Sequence, residues 1–184
     1  MLFLQSLQVT DEKTREALRE SQSRARSIAL IHEKLYQAKN MAEIDFGEYV
    51  QQLVADLFEA YRVSSQEIAL TVHAEAVHLD LDTALPCGLI ITELVSNVLK
   101  YAFKDRRTGE LSIGLASAGG DLVELTVRDN GVGLPADFKI EDAKTWGVRL
   151  VSDLARQLNG TLEFQSKNGT LVSLTFPMPK LTPK

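Results

Sequence analysis

One cysteine, five prolines, one tryptophan and no excess of basic charge mark what this chain of 184 residues goes without. The lone thiol, Cys87, excludes an intrachain disulfide and points to a reducing compartment, the cytoplasm. Twenty Lys and Arg stand against 25 Asp and Glu, a net charge of −5, so no broad basic face for nucleic acid is expected. Polar or charged residues interrupt every apolar run before it reaches membrane-spanning length, so direct membrane insertion is not expected. The opening Met1-Leu2-Phe3-Leu4-Gln5-Ser6 lacks the basic flank and cleavage site of a signal peptide and reads as a helix entered in mid-course. The length suffices for one sizeable core with a small helical appendage.

Residues 11–39 contain no Gly or Pro and are rich in Arg, Glu, Gln and Ala. Leu18, Ala25, Ile28, His32 and Leu35 step along them by seven, three, four and three, a heptad-like seam that wants a partner helix. Leu4 and Leu7 belong to the tail of another helix, and the polar Thr10-Asp11-Glu12 would turn a hairpin between the two. Asp45 with Glu48 forms a capping box, and Phe46, Val50, Leu53, Leu57 and Tyr61 mark the buried stripe of the helix that follows. Ile68, Leu70 and Val72 alternate as a strand. Asp82 is the expected cap of a long helix in which Pro86 falls early enough to be tolerated. Strands on either side of Ala118-Gly119-Gly120 make a hairpin, a helix runs from Gly147 to Asn159-Gly160, and two last strands join around Asn168-Gly169. This order predicts a mixed sheet covered on one face by helices, an α/β two-layer sandwich, with residues 1–40 apart as a helical element.

Two motifs carry chemistry. Asp129-Asn130-Gly131-Val132-Gly133 puts a carboxylate and two glycines at the end of an apolar strand. Such a carboxylate can accept a hydrogen bond from an exocyclic amine, and the glycines let the backbone turn close to a flat ligand. Upstream, Glu93 and Asn97 lie four apart on one helical face, with Lys100 three further on. Hard oxygens suit Mg²⁺, and an ammonium answers the charge of a polyphosphate.

With these residues in place, the chain resembles the ATP-binding catalytic domain of sensor histidine kinases, in the Bergerat fold shared with gyrase, Hsp90 and MutL. Glu93-Leu94-Val95-Ser96-Asn97 is similar to the N box and Asp129-x-Gly131-x-Gly133 to the first glycine box. Trp146-Gly147-Val148-Arg149-Leu150-Val151 resembles the second, with a single glycine where the fuller form has G-x-G, and Asn168-Gly169-Thr170 the third. Ile31-His32-Glu33-Lys34-Leu35-Tyr36 and the run Asp82 to Ile90 resemble the subfamily with an H-R-V-K-N-N-type phospho-acceptor, a motif this sequence lacks.

The resemblance implies ATP and Mg²⁺ as cofactors, with residues 1–40 as part of a dimerisation domain and 41–180 as the catalytic domain. It implies that Asp129 binds the adenine amine, Asn97 coordinates Mg²⁺ and Glu93 orients the attacking group. Lys100, Gly131, Gly133, Gly147, Gly169 and Thr170 complete the expected nucleotide site, and residues 135–145 its lid. Tyr101 takes a position where the subfamily often carries His. Trp146 and His32 are expected as packing residues, His32 in the apolar seam. The expected partners are a homodimer mate through the N-terminal helices, an upstream sensor domain in a longer chain, and a response regulator. Rival expectations are an anti-sigma-type serine kinase and an ATP-operated module that signals by rearrangement.

Overall fold

The computed structural model describes residues 11–37, 44–64, 67–74, 77–104, 108–135, 138 and 146–179. Residues 1–10, where the first helix of the hairpin is expected, and most of the lid segment lie outside them. Helix α1 runs Glu12–Gln37; strand β1 is Ile44–Asp45; helix α2 is Phe46–Tyr61. Strands β2 (Ile68–Ala74) and β3 (His78–Leu79) lead to helix α3, Leu81–Asn97, which widens into a π-helical turn at Val98–Ala102. Strands β4 (Gly109–Ser117) and β5 (Leu122–Asp129), helix α4 (Trp146–Gln157) and strands β6 (Thr161–Ser166) and β7 (Thr170–Pro177) complete the chain.

The main sheet has the order β2-β4-β5-β7-β6 and is mixed: β2 and β4 are parallel and every other pairing is antiparallel. Alternation sorts its faces. Leu111, Ile113 and Leu115 of β4, Val123, Leu125 and Val127 of β5, and Val172, Leu174 and Phe176 of β7 are all buried. The result is the expected two-layer α/β sandwich, with α2, α3 and α4 supplying the helical layer. The β1–β3 pairing is a further two-stranded patch that the sequence did not announce, too short to carry a periodic signal.

Local chemistry explains most boundaries. The Asp45 carboxylate accepts from the Glu48 amide at 3.1 Å, capping α2, whose Phe46, Tyr49, Val50, Leu53, Val54 and Leu57 are buried. Burial of each such side chain contributes about 1.5–3 kcal/mol. Helix α3 is capped by Asp80, not Asp82: the Asp80 backbone is extended and its carboxylate accepts from Thr83 N at 2.9 Å. Buried Leu79 anchors the residue just before it, which brings the helix start two residues earlier than the acidic pattern suggests. Helix α4 ends with Asn159 at φ 52° and Gly160 N donating to the Ala155 carbonyl. At 22 residues, Leu81–Ala102 is also long and apolar enough to cross a membrane, contrary to the expected interruption, yet 67% of its apolar 18-residue window is buried beneath neighbouring elements. It is the core helix of the layer.

Helix α1 corrects the seam. Its buried residues are Ser23, Ser27 and Ile31, whereas Ala25, Ile28 and His32 of the expected stripe are exposed. Small serines let α1 approach α2 closely, where the Ser27 hydroxyl lies 2.8 Å from the Tyr49 hydroxyl. Ala25 and Ile28 therefore face away from this domain while Leu18 is half-buried, and His32 is a surface residue rather than a packed one.

Candidate active site

The alternation along β5 decides the first element of the site. Asp129 has the same parity as Val123, Leu125 and Val127, so its carboxylate leaves the strand on the buried face, under the helices. It is 3% exposed. Its Oδ1 accepts from Gly131 N at 2.7 Å and from Thr170 N at 3.3 Å, which orients the group. Oδ2 makes no hydrogen bond within the described residues, and Asp129 lines a pocket of about 390 Å³.

Asn97, Gly133 and Thr170 line the same pocket. Its walls are apolar: Leu94 and Val98 of α3 and its π turn, Val127 and Val172 of the sheet, Val148 and Val151 of α4. Tyr101, Phe138 and Phe164 add aromatic surface, with the last two rings 5.6 Å apart and tilted. Phe164 carries no motif signal, and only its place beside Asp129 identifies it, whereas the α4 valines fall within the second glycine-box-like segment without being expected to line the site.

The glycines serve the protein's own close contacts. A Cβ on Gly131 would sit 2.3 Å from the Ala102 carbonyl, the oxygen that accepts from Val132 N at 3.0 Å. One on Gly169, at φ 110°, would sit 2.0 Å from the Asp129 carbonyl. Gly133 has φ 75° and takes its place against Ser166, whose hydroxyl accepts from Leu134 N at 2.9 Å. These glycines clamp the Asp129 loop between the π turn and the β6–β7 turn. Asn130 ties its outer side, accepting from Glu110 N at 2.8 Å.

Two expected site residues look elsewhere. Glu93 is 5% exposed, and its carboxylate is held bidentately by Arg24 of α1, through Nε to Oε1 and through Nη2 to Oε2 at 3.2 Å. Lys100 pairs with Glu20, one turn before Arg24 on the same helix. Neither lines the pocket. Gly147, at the start of α4, lies outside the pocket lining too; a Cβ there would come 2.7 Å from Glu93 Oε2. Trp146 is 60% exposed rather than packed in the core, with the Arg24 guanidinium 4.1 Å above its ring. Glu20 and Arg24 escaped sequence reasoning because a Glu–Arg pair four apart is ordinary on any exposed helix.

A buried, pre-oriented carboxylate beneath an apolar slot, on a mixed sheet beside an Asn-bearing helix, gives this α/β sandwich domain a built pocket. Residues 83–180 match the family model described as histidine kinase-, DNA gyrase B-, and HSP90-like ATPase, and residues 1–61 match one described as histidine kinase. The chain belongs to the histidine kinase-, DNA gyrase B-, and HSP90-like ATPase family, as the histidine kinase ATPase domain type found in sensor kinases.

It is 30% identical over 182 residues to the sensor histidine kinase PdtaS of Mycobacterium tuberculosis, a match covering 97% of this chain and 36% of that protein. The chain thus spans about a third of the length of that relative. The solved histidine kinase domain from the Erythrobacter litoralis EL346 blue-light activated histidine kinase superposes with a TM-score of 0.78 at 24% identity, covering 86% of this chain and 75% of that one. Full-length ShkA in complex with AMPPNP gives a TM-score of 0.58 at 19% identity, over 90% of this chain and 38% of that one. At these identities the structures bear on the fold alone.

Proposed function

We propose that this chain is the ATP-binding catalytic core of a two-component sensor histidine kinase, with Mg²⁺–ATP as its cofactor and a histidine outside these 184 residues as its phosphoryl acceptor. The observation that carries this reading is Asp129: one oxygen is fixed by two backbone N–H groups and the other is left for a ligand amine at the floor of an apolar pocket. The residues suit the cofactor. An exocyclic adenine amine matches Oδ2, and the valines, Tyr101, Phe138 and Phe164 suit a flat base. Among the described residues there is no cluster of three His, Cys, Asp or Glu to hold a metal alone. The Asn97 carboxamide oxygen, on the pocket wall, is the hard donor that would hold Mg²⁺ carried in with the phosphates of ATP.

Bound Mg²⁺–ATP supplies the transferable phosphoryl group and the charge that screens it. Asp129 fixes the register of the base, Asn97 orients the metal, and Thr170 holds Asp129 in place through its amide. Glu93 orients the incoming acceptor once its carboxylate is free. Such catalysis is mostly positioning and charge compensation. The exposed side of α1, with Ile28 at 37% exposure, pairs two copies, and an upstream sensor domain and a response regulator complete the pathway. A cytoplasmic setting fits the free, buried Cys87.

The test is calorimetric titration with ATP, followed by incubation with Mg²⁺ and γ-labelled ATP. Binding without acid-labile, alkali-stable label on the chain is expected. Such a label would place an acceptor among His32, His73 and His78 and overturn the acceptor assignment. Absence of ATP binding would overturn the reading as a whole.

A further inference from the structure

The charges that the proposed function needs at the phosphate end of the site are held by helix α1. Four residues form an alternating chain: Glu93, Arg24, Glu20 and Lys100. Arg24 grips Glu93 with its fork and reaches Glu20 Oε2 at 3.4 Å, while Glu20 Oε1 accepts from the Lys100 ammonium. Glu20 and Arg24 are one turn apart on α1, and Glu93 and Lys100 belong to α3 and its π turn. The Lys100 side chain is 8% exposed and that of Glu93 6%, so solvent screens these charges little. The same Arg24 guanidinium covers Trp146 at the first residue of α4. One helix thus grasps both elements that flank the Asn97 end of the pocket.

The contact is not built for permanence. Gln22 Nε2, Ser23 Oγ and Tyr61 Oη are buried with no hydrogen-bond partner among the described residues, the first two on α1 and the third beside it under Arg19. Unsatisfied buried groups destabilise the docked arrangement relative to one in which water reaches them. A docked helix held by ion pairs, over a seam that leaves polar atoms unpaired, is suited to release.

We infer that Glu20 and Arg24 are positioning residues that hold Lys100 and Glu93 withdrawn from the nucleotide, so that α1 and the phosphates of ATP compete for the same two side chains. This rests on the nucleotide-binding reading above. Polyphosphate recruits Lys100 only as Glu20 gives it up. Glu93 becomes available to an acceptor only as Arg24 leaves it. Movement of α1, whose far side exposes Ala25 and Ile28, is thereby tied to the state of the site.

The experiment compares the wild-type chain with Glu20→Gln, using ATP in the presence of EDTA and adenosine as the base-only probe. Glu20→Gln keeps the shape of residue 20 and removes its charge. Loss of one partly exposed pairing predicts ATP bound about two- to five-fold tighter, with adenosine affinity unchanged. Trp146 is the sole tryptophan and reports the Arg24 contact. ATP, but not adenosine, moves the wild-type emission toward that of ligand-free Arg24→Gln. Unchanged or weaker ATP binding by Glu20→Gln, with adenosine bound normally, overturns the competition and leaves the nucleotide site standing. An emission that ATP does not move also overturns it. Failure of the wild-type chain to bind either probe overturns the nucleotide reading and this inference with it.

Discussion

Replacing Asp129 with Asn separates the role of this carboxylate in the fold from its role toward a ligand. In the folded chain Oδ1 accepts two amide bonds, from Gly131 at 2.7 Å and Thr170 at 3.3 Å, while Oδ2 has none within the described residues. An Asn with its carbonyl oxygen at Oδ1 keeps both backbone bonds, so the loop and the sheet stay as they are. At Oδ2 the change converts an acceptor into an NH₂ donor. Facing an adenine amine, donor meets donor, and a charge-assisted bond of about 1.5–3 kcal/mol is lost. That corresponds to ATP affinity falling by about 10- to 150-fold. The base with a carbonyl in place of the amine, in inosine triphosphate, now meets a donor and gains relative to ATP. Calorimetry with both nucleotides, alongside urea unfolding of the variant, reads the two effects separately. A variant that stays folded and binds ATP as the wild type does, with no change in preference, would refute the assignment of Asp129 to the base.

Four further outcomes follow from the same geometry. Gly169→Ala puts a Cβ 2.0 Å from the Asp129 carbonyl at a φ of 110°, and urea unfolding should show a loss of about 2–5 kcal/mol; an unchanged midpoint would contradict the clamp. Gly147→Ala meets only the far end of the Glu93 side chain, at 2.7 Å, so its stability should change by no more than about 1 kcal/mol while Trp146 emission shifts as Glu93 and Arg24 give way; a large loss of stability would argue against this. Burial pushes the Tyr49 hydroxyl and the Cys87 thiol well above their ordinary values, so above about pH 9 the unfolded chain releases protons that the folded one keeps, and stability falls as pH rises. Urea midpoints from pH 8 to 10.5 should decline, less steeply in Cys87→Ala, and a flat profile would refute it. Ile28→Glu, on the exposed stripe, should reduce self-association measured by light scattering, with ATP affinity unaffected.

Much of the site was legible because it is periodic. Alternation along β5 sends Asp129 inward, and the spacing of Glu93 and Asn97 puts both on α3 whatever else the chain does. The capping of α2 by Asp45 and the closing turn of α4 at Asn159-Gly160 are likewise local chemistry. The glycines were visible as motifs, but what they make room for was not: Ala102 and the Asp129 carbonyl reach Gly131 and Gly169 only in the folded chain. The seam of α1 misled for a related reason. Heptad spacing finds an apolar stripe, yet the face that α1 turns inward is the one whose serines permit close approach and whose charges find partners.

The sequence by itself determined the main helices and strands and the inward-facing carboxylate of β5, since propensity, capping and alternation act between near neighbours, while the fold class rested mostly on the family resemblance. Only the tertiary structure decided which charges meet. Arg24 and Glu93 are 69 residues apart, and Glu20 and Lys100 are 80 apart. A charged side chain on a helix carries no local mark of its partner, because attraction between charges is set by distance in space and by burial, and both exist only once the helices have packed.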